Sequence, residues 1–198
     1  MSASQASALC SRVVGLTEDL RRIADAAVRY AAPGEEMVGI VPAEPSHGAR
    51  AYLCAYRGAD GEQSWLVLDG DGKPVTDRAR VREVVSIAAL VEVAEETAGG
   101  GDLDELRSQL VALRLTENPP GIDEAEEAAL ALEATIGGTP RIATPERLDA
   151  IGAATVRLEH LLGGGSGSPF AVAMDQARLT VEKLTRDVLG AYKVPLDQ

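Results

Sequence analysis

The chain has 198 residues, 45% of them hydrophobic but 3% aromatic, and a formal net charge of −12. At this length roughly 70% of the unfolded surface can be buried, so no disulfide or metal staple is required. The acidic balance and the lack of any Lys/Arg run exclude the phosphate-neutralising chemistry of nucleic-acid binding and disfavour anionic membranes.

The first predicted element is a long amphipathic helix from Ser4 to Ala32, ended by Pro33-Gly34. Leu9, Val13, Leu16, Leu20, Ile23, Ala27 and Tyr30 form its seam, which is expected to lie against another helix. Val14, Ala24 and Val28 widen the stripe beyond a strict coiled-coil seam, favouring packing inside a globule over self-association. Strand signals follow. Met37–Val41 is β-prone and expected to close at Pro42 and Pro45; Arg50–Arg57 and Gln63–Asp69 flank the loop Gly58–Glu62 and read as an antiparallel hairpin. Tyr52, Cys54 and Tyr56 share one face of their strand, and Ala51, Leu53 and Ala55 the other, so both faces are apolar.

Asp69–Gly72 reads as a tight turn, with Lys73–Thr76 as a short edge strand. Asp77 is placed to cap a helix over Arg78–Ala98, whose stripe is Val81, Val84, Ile87, Ala88, Val91 and Ala94. Gly99–Gly101 breaks it. A helix beginning at Asp102 carries Leu103, Leu106, Leu110 and Leu113 and stops at Asn118-Pro119-Pro120-Gly121. Asp123–Ile136 is a short Ala/Glu helix, and Thr144-Pro145-Glu146 opens another with Leu148, Ile151, Thr155, Leu158 and Leu162 inward. After the flexible stretch Gly163–Gly167, Ser168-Pro169 starts the last helix. Its seam is Phe170, Met174, Ala177, Val181, Leu184, Val188 and Ala191, and the tail Val194–Gln198 is expected to fray.

These elements predict an α+β, mainly helical fold: a long N-terminal helix, a small antiparallel sheet of two to four strands, then a helical bundle. Gly99–Gly101 is the expected boundary between a helix-sheet-helix unit, 1–98, and a helical part, 102–198, with a single domain over 1–198 as the alternative. Cys10 and Cys54 have no metal-ligand spacing and are expected as buried thiols. No charged segment followed by an apolar run marks a signal peptide, and Ile87–Val91 is far too short to span a bilayer, so a cytoplasmic location is expected. Sixteen Arg against three Lys, with abundant Ala and Gly, suggests a GC-rich bacterial source.

Each chemical template tested fails on spacing. A calcium loop starting at Asp69 would place Lys73 and Arg80 where oxygen ligands belong. Gly163–Gly167 lacks the Lys and hydroxyl that close a P-loop, and a helix precedes it where a dinucleotide fold needs a strand. His47 and His160 have no metal-ligand neighbours. Glu92, Glu95 and Glu96 on one helix, and Glu124, Glu126, Glu127 and Glu133 on another, read as solvated faces.

The leading expectation is therefore a non-catalytic binding, adaptor or assembly protein, a homodimer or the partner of another protein, with no metal or cofactor. Tyr52, Tyr56 and Trp65 are the expected contact surface, since such residues are favoured at interfaces. The long helix, small sheet and acidic charge are similar to bacterial secretion chaperones at the level of fold, over about the first hundred residues and with no shared motif. The alternative is a small-molecule-binding protein or enzyme, with a pocket between sheet and helices in which Arg50 and Arg57 meet an anionic ligand.

Overall fold

The expected hairpin is present as β2 (Ala51–Arg57) and β3 (Gln63–Asp69) in the computed structural model, which describes residues 17–99, 103–138, 141–163 and 167–197. Their register pairs Ala51 with Asp69 and Arg57 with Gln63. Strand β1 (Glu36–Ala43) pairs antiparallel with β2, giving the order β1-β2-β3. Pro42, expected to close β1, instead lies within it opposite Tyr52. A strand residue's N–H and C=O point to the same side, and the Pro42 carbonyl accepts from Ala143 N at 3.0 Å on the outer edge. The missing N–H therefore costs no ladder bond.

Six helices complete the described residues: α1 (Thr17–Val28), α2 (Arg78–Gly99), α3 (Leu103–Thr116), α4 (Ile122–Gly137), α5 (Pro145–Leu161) and α6 (Pro169–Gly190). The chain is thus mainly helical α+β. The part of the expected first helix before Thr17, with Leu9, Cys10, Val13 and Leu16, lies outside the described residues. At the other end α1 stops at Val28, earlier than Pro33-Gly34 suggested. Arg29, Tyr30 and Ala31 donate to carbonyls three residues back, and Ala32 N donates to the Glu35 carboxylate at 2.7 Å. The buried Tyr56 hydroxyl donates to the Ala27 carbonyl at 2.8 Å, a second bond to an acceptor that also takes Tyr30 N at 3.0 Å.

Contacts divide the chain into two units, with change-overs inside α2 and α6 and on either side of Thr139–Pro145. Gly99, where the glycine run begins, closes α2 within the second unit. The first unit comprises the described residues of Met1–Ala89, Thr139–Pro145 and Thr180–Gln198. In it Ile23, Ala26 and Ala27 of α1 pack with Tyr52, Cys54, Tyr56, Leu66 and Leu68. The described part of the first seam therefore lies on the sheet, not on another helix, because that strand face offers a continuous apolar surface. Leu53, Ala55, Trp65 and Val67 on the opposite face are also buried.

Both sheet edges are closed by short segments. Ala143 bridges β1 by donating to Pro42 O and accepting from Glu44 N at 2.9 Å. Beside β3, Val75 N donates to Val67 O at 2.9 Å, and Asp69 N to Lys73 O at 2.9 Å. Trp65 N donates to Ala191 O at 3.1 Å, and Lys193 N returns a bond to Trp65 O at 2.9 Å. The Tyr192 hydroxyl accepts from Val67 N at 2.9 Å and donates to Val75 O at 2.8 Å. The tail does not fray as expected: Asp197 accepts from Thr76 Oγ1 at 2.5 Å, and its N–H donates to Thr76 O at 2.8 Å.

Turn chemistry fixes the elements between. Asp69 Oδ1 accepts from Asp71 N and Lys73 N, both at 2.9 Å, so it organises the turn into the short edge segment. Gly72 there has φ 77°, and a Cβ would come 2.7 Å from Ala26 Cβ, so the turn admits α1 only because this residue is glycine. Asp77 caps α2 as expected, accepting from Ala79 N at 2.8 Å and Arg80 N at 3.1 Å.

The second unit comprises the described residues of Leu90–Gly138 and Glu146–Leu179. Its helices share one aliphatic cluster, in which Leu110, Ile122, Leu132, Ile151, Leu158 and Phe170 are the largest buried members. Asn118, at φ 44°, ends α3 by donating its N–H to Leu113 O at 3.0 Å, and Gly121, at φ 88°, opens α4.

Two measurements check this account. Tyr56→Phe removes one of the two hydrogen bonds to the Ala27 carbonyl, which keeps Tyr30 N, and lowers unfolding free energy by about 0.5–1.5 kcal/mol in urea titration. Glu35 accepts from Lys193 Nζ, from Ala32 N and from Ser64 Oγ, and these bonds hold its carboxyl down at about 2. A depressed carboxylate stabilises above its ordinary value and ceases to do so as pH falls from 4.5 towards 2. Glu35→Gln should lower stability at pH 6 by about 1 kcal/mol after solvent screening, the deficit shrinking in denaturation curves near pH 2.5.

Candidate interaction surface

Tyr52, Tyr56 and Trp65 are 3%, 0% and 3% exposed. Tyr52 and Tyr56 pack in the α1-facing cluster, and burial pushes the Tyr56 hydroxyl far above its ordinary value. Lys193 Nζ lies 4.5 Å from the centre of the Tyr56 ring, a cation–π contact within the same unit. The aromatic area is thus used inside the sheet unit, and a surface for partners has to come from other side chains.

Arg50 and Arg57 stand at opposite ends of β2. Arg50 is paired with Glu44 at 2.5 Å, whereas Arg57 is exposed at the far end. The His47 carbonyl accepts from Arg80, as does that of Ala49, which fixes the loop before β2; His160 is exposed in the last turn of α5. Among the described residues no group of three His, Cys, Asp or Glu is placed to hold a metal ion, and no helix is long and apolar enough to cross a membrane.

The most distinctive surface is on the second unit, along α3 and α4. Leu103, Leu106, Leu110 and Leu113 belong to the α3 face that joins the core. Val111 and Leu115 lie off that stripe and project outward, 53% and 80% exposed, with Leu130 of α4 at 56%. Arg107, Leu110, Val111, Glu126, Ala129 and Leu130 line a shallow groove of about 250 Å³. Leu110 and Ala129 are buried in its floor, and Val111 and Leu130 form its lips.

Cross-helix ion pairs flank this apolar centre. Arg107 meets Glu133 at 3.3 Å, and Arg114 meets Glu126 at 2.9 Å and also contacts Asp123. The two arginines are two turns apart on α3 and the two glutamates two turns apart on α4, as expected for antiparallel neighbours. About half exposed, each pair contributes roughly 0–1 kcal/mol. Their larger effect is to order the charges in rows, basic on α3 and acidic on α4. The sequence holds a signal for this surface: Val111 and Leu115 are apolar, one turn apart, and superfluous to the α3 stripe.

Two carboxylates expected in solvent are not there. Glu95 pairs with Arg147 at 2.7 Å, both side chains largely buried, and Arg147 also donates to Ile136 O at 3.1 Å. Glu92 is 9% exposed, and burial, aided by the neighbouring Glu96 and Glu95 charges, pushes its carboxyl up to about 7. No protein-family model, curated protein or solved structure matches the chain.

Glu92 gives a pH-dependent prediction. A raised carboxyl favours the folded state while protonated, so its penalty grows as pH rises from 4.5 to about 7. Glu92→Gln should stabilise the protein at pH 8 by on the order of 2 kcal/mol and be nearly neutral at pH 4.5, read by chemical denaturation.

Proposed function

We propose that the chain is a non-catalytic binding or assembly protein of the cytoplasm, acting as a homodimer or with a protein partner, and that it uses the α3–α4 face. The observation that supports this reading is the groove whose lips are Val111 and Leu130, both more than half exposed, with Leu115, more exposed still, one turn along α3 from Val111. Covering a fully exposed Val or Leu side chain is worth about 1.5–3 kcal/mol, so a partner that closes over these three, already partly covered, gains a few kcal/mol before ordering costs. An apolar centre with charged side chains at its rim is the arrangement of protein interfaces.

Groove size favours protein over a small molecule. Its roughly 250 Å³ lies below the ~300–1,000 Å³ of ordinary ligand pockets, and its two exposed lips leave it open.

A photoreactive phenylalanine analogue at Leu115 tests the reading, because that position is 80% exposed and tolerates replacement. Irradiation of purified protein and of extract from the producing cells should give adducts to protein, mapped by peptide mass and suppressed by Val111→Asp. Absence of any protein adduct, or adducts indifferent to Val111→Asp, would overturn it.

A further inference from the structure

We infer that the α3–α4 face docks on the same face of a second copy of this chain, α3 of each copy lying over α4 of the other. The inference rests on the reading of this face as a protein-binding surface and adds the identity of the partner. Its argument is the order of the charges. Arg107 stands level with Glu133 and Arg114 level with Glu126, because each pair is joined across the hairpin.

Two faces can be apposed about a two-fold axis lying either along the helices or across them. An axis along the helices exchanges α3 with α4 and preserves the level of each residue. Arg107 and Arg114 of one copy then meet Glu133 and Glu126 of the other, twice over, and Val111 meets the Leu130 level. An axis across the helices sets α3 on α3 and brings arginine to arginine and glutamate to glutamate. The charge rows thus select the first arrangement and penalise the second, as an isologous interface requires. Setting Arg107 and Arg114 of each copy against Glu133 and Glu126 of the other offsets part of the repulsion between two chains of net charge −12.

The dimensions set the strength. Helix α3 has 14 residues, hence a length of about 21 Å, and two neighbouring helices span about 20 Å. A footprint of roughly 400 Å² per copy is about half that of a standard specific interface, which points to a weak, reversible, concentration-dependent dimer.

Sedimentation equilibrium on the full chain, from about 1 to about 200 µM, reads this directly. The average mass should rise from 20.7 kDa towards twice that value. Arg107→Glu/Arg114→Glu makes all four charges of the two rows acidic, and Glu126→Arg/Glu133→Arg makes all four basic. Each variant alone should remain monomeric, and an equimolar mixture should associate more tightly than the unaltered chain. Circular dichroism verifies that both are folded. If either is not, Val111→Ser/Leu130→Ser at the exposed lips replaces it and should weaken association at least about tenfold. An unaltered chain that stays monomeric, charge variants that dimerise singly, or a folded mixture that does not associate would each overturn the inference. A monomer that still cross-links through position 115 to a different protein would leave the binding reading standing, whereas loss of all cross-links would end both.

Discussion

Three strands buried on both faces have two edges, and each edge presents backbone donors and acceptors that must be satisfied. An unpaired peptide group in such a place costs about as much as a lost hydrogen bond, and an open edge invites a foreign strand. Here the edges are closed from within the chain: β1 by Ala143, and β3 by Val75, Ala191 and Lys193. The remaining organisation of the first unit follows from that requirement. Tyr192 and Asp197 are held because the segment carrying them is needed at the edge, and Glu35 is drawn into the same junction through Lys193 and Ser64.

The second unit solves a different problem. Its core is made of aliphatic side chains from helices, and the buried Glu95–Arg147 pair tethers α5 to the end of α2. A buried pair of this kind adds little net stability compared with apolar residues of the same volume, but it tolerates few alternative alignments. Between α3 and α4 the polar links are exposed and the apolar groups at the lips are also exposed. That inversion separates the outer face of this hairpin from the rest of the unit.

Much of the secondary structure was legible because its signals are local. Asp77 as a cap, Pro145 at the start of α5, Asn118 before two prolines, and the β2–β3 hairpin all act within a few residues of their own positions. Pro42 misled because a proline is tolerated on the outer edge of a strand, and edge position is a property of the whole sheet. The surface was less legible for the same reason. Tyr52, Tyr56 and Trp65 have the composition of a contact patch, yet all three are buried, Tyr52 and Tyr56 beneath α1 and Trp65 on the opposite face of the sheet, while Val111 and Leu115 are exposed on α3. Glu92 and Glu95 resembled solvated carboxylates because nothing local announces Arg147 or the burial of α2.

The bonds at the outer edge of β3 also have a place in time. Val67 N and the Tyr192 hydroxyl are separated by 125 positions. A ribosome adds roughly 5–20 residues per second, so on the order of ten seconds pass between synthesis of the strand and synthesis of the residues that finish its edge. During that interval the nascent sheet offers Trp65 and Val67 with part of their backbone unsealed. The newborn chain is therefore most exposed to mispairing, and most in need of a chaperone's cover, while the helices of the second unit are still being made.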